Sequence, residues 1–178
     1  MIVAVLAAGE SKRFGSPKQL STFKEKSLLQ TTLENLPECD EVCLVLGAYK
    51  DEIQKNLVLE GLTILENKNF KNGLSTSVKM AMDYAQEKNQ DLLITLGDLP
   101  LVTKDNYQDL INQMTKEPVF SGFKDTHGPP VVIPKERMVF SKYLDGDKGL
   151  KNLYMDFEVL PMPAAGFDID TLEDLNKI

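Results

Sequence analysis

One histidine, His127, and two cysteines, Cys39 and Cys43, are all that this 178-residue chain offers as imidazole and thiolate metal ligands. The cysteines lie four apart with no second ligand set, so a structural zinc site is not expected and both read as core or surface thiols. Long apolar runs are also missing: nothing approaches the roughly 18 residues of a membrane span. The opening MIVAVLAAG stops being apolar at Ala8 and has no basic residue before it. It therefore reads as a buried strand rather than a signal peptide, and the protein is expected to be cytoplasmic. Basic charge is short as well, with 20 Lys and Arg against 27 Asp and Glu and a formal net charge of −7. That balance argues against a nucleic-acid partner, which needs a basic face for counterion release. Linkers, repeats and low-complexity tracts are absent, so a single domain spanning 1–178 is expected, long enough to bury a core without external staples. Oligomeric state is left open.

What is present is alternation. Of the short apolar runs at 2–6, 42–46, 62–66, 91–96, 118–123 and 129–134, five read as buried strands. Between them, 27–36, 75–88 and 103–116 carry apolar residues at helical spacing, with Ser27 and Thr103 as N-caps. Val78, Met82 and Ala85 form one stripe; Tyr107, Leu110, Ile111 and Met114 form another. The pattern predicts an α/β, Rossmann-like, mainly parallel sheet flanked by helices. Ligands of such sheets sit beyond the carboxyl ends of the strands, which directs attention to the chain after Leu6, Leu46, Glu66 and Leu96 and around Pro134. The segment 122–134 reads as a loop with an entering strand.

Residues 6–20, LAAGESKRFGSPKQL, fail two familiar phosphate-loop patterns. Gly9 and Gly15 are separated by five residues and followed by Ser16-Pro17-Lys18, unlike a Walker loop, and Ser11 stands where a dinucleotide turn needs its second glycine. What remains is a long loop whose small residues Ala7, Ala8 and Gly9 admit an anion to the backbone amides. Ser11, Lys12, Arg13 and Lys18 add donors and charge. On its own the loop is equally compatible with a solvated basic surface. After the fourth run, Asp98 of GDLP falls at a strand end, where one carboxylate suits Mg²⁺ shared with substrate phosphates, or a helix-capping turn. Asp168 and Asp170 alternate on an extended segment ahead of a final helix capped by Thr171, and either is placed to complete a site with Asp98.

Taken in order, LAAGESKRFGSPKQL, GLSTSVK, GDLPLV, HGPPVVIP, GDKGL and DIDTLEDL resemble the MobA-like nucleotidyltransferases, and among them the molybdenum cofactor cytidylyltransferase branch. The resemblance covers nearly the whole chain. It implies the nucleotidyltransferase (glycosyltransferase A-like) variant of the fold, Mg²⁺ as cofactor, and two substrates: a nucleoside triphosphate and a phosphorylated small-molecule acceptor. By motif position, amides at Ala7, Ala8 and Gly9 hold the triphosphate, with Ser11 beside them and Arg13 and Lys18 on its phosphates. Asp98 is the principal metal ligand and Asp170 the second, which makes Lys18, Arg13 and Asp98 the catalytic set. Asn67, Gly73, Ser75 and Ser77 fall where base and ribose are recognised. Gly128 and Pro130, with Gly146, Asp147 and Gly149, match segments on the acceptor side. Three departures stand out: Leu99 replaces a usual glutamine, Phe14 a methionine, and Leu172 a proline.

The reaction so implied is attack of an acceptor phosphate on the α-phosphorus with loss of pyrophosphate, CMP from CTP onto molybdopterin being the leading form. GMP transfer and sugar-phosphate nucleotidyl transfer are alternatives within the class. Outside it stand a nucleotide-binding regulator without catalysis and a purely structural interaction domain.

Overall fold

A computed structural model describes residues 1–144, 150–169 and 171–175 of the chain. Its strands and helices in chain order are β1 (Ile2–Ala7), β2 (Thr22–Phe23), β3 (Lys26–Ser27), α1 (Leu28–Glu34), β4 (Glu41–Leu46), α2 (Lys50–Asn56), β5 (Thr63–Glu66), α3 (Leu74–Glu87), β6 (Leu92–Leu96), α4 (Lys104–Asn112), β7 (Val119–Phe123), β8 (Thr126–Ile133), β9 (Glu158–Pro161) and α5 (Leu172–Leu175). Seven strands form one sheet in the order β5-β4-β1-β6-β8-β7-β9, and β2 pairs with β3 in a small separate hairpin. In the large sheet only β8 runs against its neighbours β6 and β7.

The mainly parallel, helix-covered sheet is the one the alternation predicts. β1 is buried along its whole length because both faces are covered. Ile2, Ala4 and Leu6 face one core layer with Val78, Ala81, Met82 and Ala85 of α3. Val3, Val5 and Ala7 face the other, with Leu29 of α1, Ile53 of α2, and Tyr107 and Leu110 of α4. Cys43 belongs to the first layer, where burial pushes its thiol pKa up to about 12. Both N-caps are as read: Ser27 Oγ accepts from Gln30 N at 3.1 Å, and Thr103 forms a capping box with Asn106.

Two expectations need correction. The segment 122–134 is not mainly loop: β7 runs to Phe123, the chain turns at Lys124–Asp125, and β8 starts at Thr126. Because β8 is antiparallel, its end near Pro134 lies beside the amino end of β6, where Lys135 N donates to Asp91 Oδ1 at 2.9 Å. Pro134 is therefore at the wrong edge of the sheet for the ligand position predicted there; the start of β8 is at the right one. α2 and β9 carry no clear periodic signal. α2 buries only Ile53, and β9 is a four-residue edge strand ending in Pro161.

Candidate active site

β1 has β4 on one side and β6 on the other, with Leu6 in register with Leu96. This is the point where successive crossovers leave the sheet in opposite directions, and it opens a crevice beyond the carboxyl ends. The exits of the three strands converge there. Gly97 N donates to Leu6 O at 3.0 Å, and Ala48 N donates to Ala8 O at 3.2 Å. At Gly47 glycine is required for this approach, and at Gly97 a side chain would be tight. A Cβ on Gly47 would lie 2.7 Å from Ala8 O and 2.9 Å from Phe70 Cβ, and one on Gly97 would lie 3.1 Å from Ala7 Cβ.

The loop after β1 folds back on itself. Ser11, at φ 49°, has a carbonyl that accepts from Phe14 N at 2.9 Å and Gly15 N at 3.1 Å. Phe14 anchors the turn by entering a small apolar cluster with Phe23, Leu28 and Ile169. Pro17 then leads into a single 3-10 turn over Lys18–Leu20, and Lys18 N donates to Ser11 Oγ at 3.3 Å. The turn carries Lys18 and Gln19 into the crevice.

There, Lys18 Nζ forms an ion pair with Asp98 Oδ2, the two side chains being only 15% and 12% exposed. Opposite charges so far removed from water are held firmly only when each is well supported, and removing either one strands the other. The cavity around the pair measures about 350 Å³, within the usual range of small-molecule sites. Its wall includes Ala7, Ala8 and Gly9 from the loop, Gly73, Leu74 and Ser77 from the start of α3, Phe70 ahead of it, and Asp168. Asp168 is fixed to the β6 exit through its neighbour, Ile169 N donating to Asp98 O at 3.3 Å.

Of the residues picked out from the sequence, Ala7, Ala8, Gly9, Lys18, Asp98, Gly73 and Ser77 meet at this cavity. Ser11 supports the loop from behind. Arg13 is exposed on the Ser11–Gly15 turn, outside the cavity wall. Asn67 is buried, and its amide donates to Thr76 Oγ1 and Ser77 Oγ, both at 2.8 Å, while its oxygen accepts from Asn69 N at 2.9 Å. It ties the β5 exit to the start of α3, where its partner Ser77 lines the cavity. Ser75 is buried within that first turn. Gly128 and Pro130 lie in β8, whose start is at the same edge of the sheet. Asp170, Gly146, Asp147 and Gly149 lie outside the described residues. Residues not anticipated as site residues are Gln19, Phe70 and Leu74; Gln19 lies beside Lys18 in a segment already singled out, but its bonds to the loop carbonyls show only in the folded chain.

The sequence profile of the MobA-like NTP transferase domain matches residues 3–159. The chain belongs to the MobA-like nucleotidyltransferase family. Among MobA-like and related proteins, the molybdenum cofactor cytidylyltransferase of Escherichia coli (strain K12) is 27% identical over 133 residues, 74% of this chain and 68% of that protein. The crystal structure of the homologue of Mycobacterium tuberculosis Rv0371c from Mycobacterium sp. strain JC1 superposes with a TM-score of 0.83 at 27% identity, over 99% of this chain and 93% of that one. Rv0371c of M. tuberculosis H37Rv, crystallised as a complex with manganese, superposes with a TM-score of 0.81 at 23% identity, over 99% and 96%. A nucleotidyltransferase of this family uses a nucleoside triphosphate and a small-molecule acceptor.

Within the MobA-like frame, two of the sequence departures are not at the cavity surface. Leu99 is 1% exposed in the core layer behind the site, and Phe14 is buried in the small cluster beneath the loop. A divalent metal suits what the cavity offers: Asp98 and Asp168 present hard carboxylate oxygens on one cavity, and phosphate oxygens of a substrate complete such a shell. Among the described residues there is no group of three or more His, Cys, Asp or Glu side chains placed to hold an ion alone. Nor is any described helix long and apolar enough to cross a membrane.

Proposed function

We propose that the chain transfers CMP from CTP to a phosphorylated acceptor of the molybdopterin type, in an Mg²⁺-dependent reaction that releases pyrophosphate. The observation that carries this reading is the convergence, at the sheet crevice, of the loop backbone at Ala7–Gly9 with the Lys18–Asp98 pair and Asp168. The cytidylyl preference and the acceptor class draw on the ordered motifs shared with the cytidylyltransferase branch and on the E. coli relative.

In the proposed reaction an oxygen of the acceptor phosphate forms a bond to the α-phosphorus of CTP, the bond from that phosphorus to the bridging oxygen breaks, and pyrophosphate leaves. A phosphate is already ionised near neutral pH, so the chain need not supply a general base. Its single histidine stands apart, in an aromatic cluster with Phe120 and Phe157. The loop amides at Ala7–Gly9 hold the triphosphate in place, and Lys18 counters the charge that builds on the reacting phosphate. Arg13 adds charge on the phosphates from the exposed side of the loop. Asp98, with the acidic pair Asp168 and Asp170, would hold Mg²⁺, which when bound supplies neutralisation of the phosphate charge. Ser75 and Ser77, held at the first turn of α3 with help from Asn67 and Gly73, shape the side that receives base and ribose.

The test is pyrophosphate release with CTP and with GTP against molybdopterin. Faster release with CTP is expected. Preference for GTP moves the assignment to guanylyl transfer, turnover only with a sugar phosphate moves it to that class, and equilibrium nucleotide binding without any turnover would mark a regulator.

A further inference from the structure

Gln19 is 3% exposed where the Lys18–Leu20 turn passes beneath the loop after β1, and it lines the cavity. Its side-chain nitrogen donates to Ala7 O at 3.1 Å and to Gly9 O at 3.4 Å. Its side-chain oxygen accepts from Ser11 Oγ at 3.4 Å, and the same Ser11 oxygen accepts from Lys18 N at 3.3 Å. Two carbonyls require a donor opposite them, so the nitrogen end of the amide has only one way to face. One side chain thus bonds the first and third residues of the Ala7–Gly9 run and reaches the residue that positions Lys18.

Backbone that offers amides to an anion also carries carbonyls, whose negative ends repel it. An arrangement that ties those carbonyls to a fixed donor sets the amides in advance and removes the repulsion. We infer that Gln19 is a positioning residue for triphosphate binding, holding the carbonyls of Ala7 and Gly9 away from the phosphates and keeping the loop in its binding shape. The inference rests on the cavity being a nucleoside triphosphate site. It concerns a residue that does not itself touch the reacting phosphorus, and its effect is through preorganisation of the loop.

Two variants test it. Gln19→Met keeps most of the volume and removes the donors. Gln19→Glu keeps the shape and places a carboxylate against both carbonyls, which favours the protonated form. The probe is inorganic tripolyphosphate with Mg²⁺, measured by isothermal titration calorimetry, with folding checked by circular dichroism. Gln19→Met is expected to remain folded and to bind at least about tenfold more weakly, the size of one net hydrogen-bond contribution. Gln19→Glu is expected to bind weakly at about pH 8 and to recover, relative to the unaltered protein at each pH, as the pH falls to about 5.5 and the carboxyl regains one donor proton. Unchanged affinity in folded Gln19→Met, or a Gln19→Glu defect that does not vary with pH, overturns the positioning role. The Gln19→Glu pH series decides the matter if Gln19→Met fails to fold. Failure of the unaltered protein to bind either tripolyphosphate or any nucleoside triphosphate overturns the site reading itself, and the inference with it.

Discussion

Asp98 stands two residues beyond the end of β6 with its carboxylate against the Lys18 ammonium, and both side chains are nearly out of solvent. Asp98→Asn keeps the shape while removing the charge that would bind a cation. Mg²⁺-dependent pyrophosphate release is expected to drop by about 100-fold or more, and near-normal turnover would remove Asp98 from the metal role. His127 makes a separate prediction. Its ring packs 5.1 Å from Phe120 and 4.7 Å from Phe157, and its Nε2 is shielded with no hydrogen-bond partner among the described residues. Burial, helped by the nearby Lys151 charge, holds its pKa below the ordinary 6.5. As pH falls through that window the unfolded chain takes up the proton before the folded one does, so stability declines from about pH 6.5 towards the lower folded value. Melting temperatures of the unaltered protein and of His127→Phe should therefore diverge on the acid side, the variant losing less. Parallel curves would mean that the ring titrates alike in both states.

At the level of elements, the approach of the β1, β4 and β6 exits depends on glycines whose missing Cβ leaves room for neighbouring backbone. Gly47→Ala puts a methyl against Ala8 O, which cannot move without displacing the anion loop. The expected cost is about 1–3 kcal/mol from overpacking, or a fall of about 2–12 °C in melting temperature, with weaker triphosphate binding. A neutral change in both would show that the loop yields freely. The strands, long helices and their caps were legible because their apolar residues repeat at the period of the element and the caps have the right side chains. α2 was not, since KDEIQKN buries a single residue, and β9 was too short and too close to the edge to show alternation. The reversal of β8 was also hidden: a buried strand reads the same in either direction, and only pairing distinguishes them.

Over the whole molecule, the residues that meet at the cavity were legible where a motif carries a charge, as at Lys18 and Asp98, and less so where a side chain serves another residue. Asn67 shows this. Its motif position suggested ligand recognition, and in the fold its amide bonds Thr76, Ser77 and Asn69, fixing the entry to α3. Gln19 is the converse, a polar residue inside the loop segment but given no role there, which lies buried against two carbonyls. Neither could be read without knowing which groups meet in space. Lys18, Gln19 and Asp98 converge on one cavity, so occupation by its substrate should stabilise the entire fold. A ligand that binds only the folded state adds about 2.7 kcal/mol at a free concentration 100 times its dissociation constant. The most direct measurement is the melting temperature of the unaltered protein and of Asp98→Asn across a panel of nucleoside triphosphates, with Mg²⁺ and with a chelator. A rise with Mg²⁺ and CTP that exceeds the rise with GTP, disappears with chelator and is lost in Asp98→Asn is the expected result. No shift with any Mg²⁺-nucleotide, or an equal shift in Asp98→Asn, would contradict the proposed site.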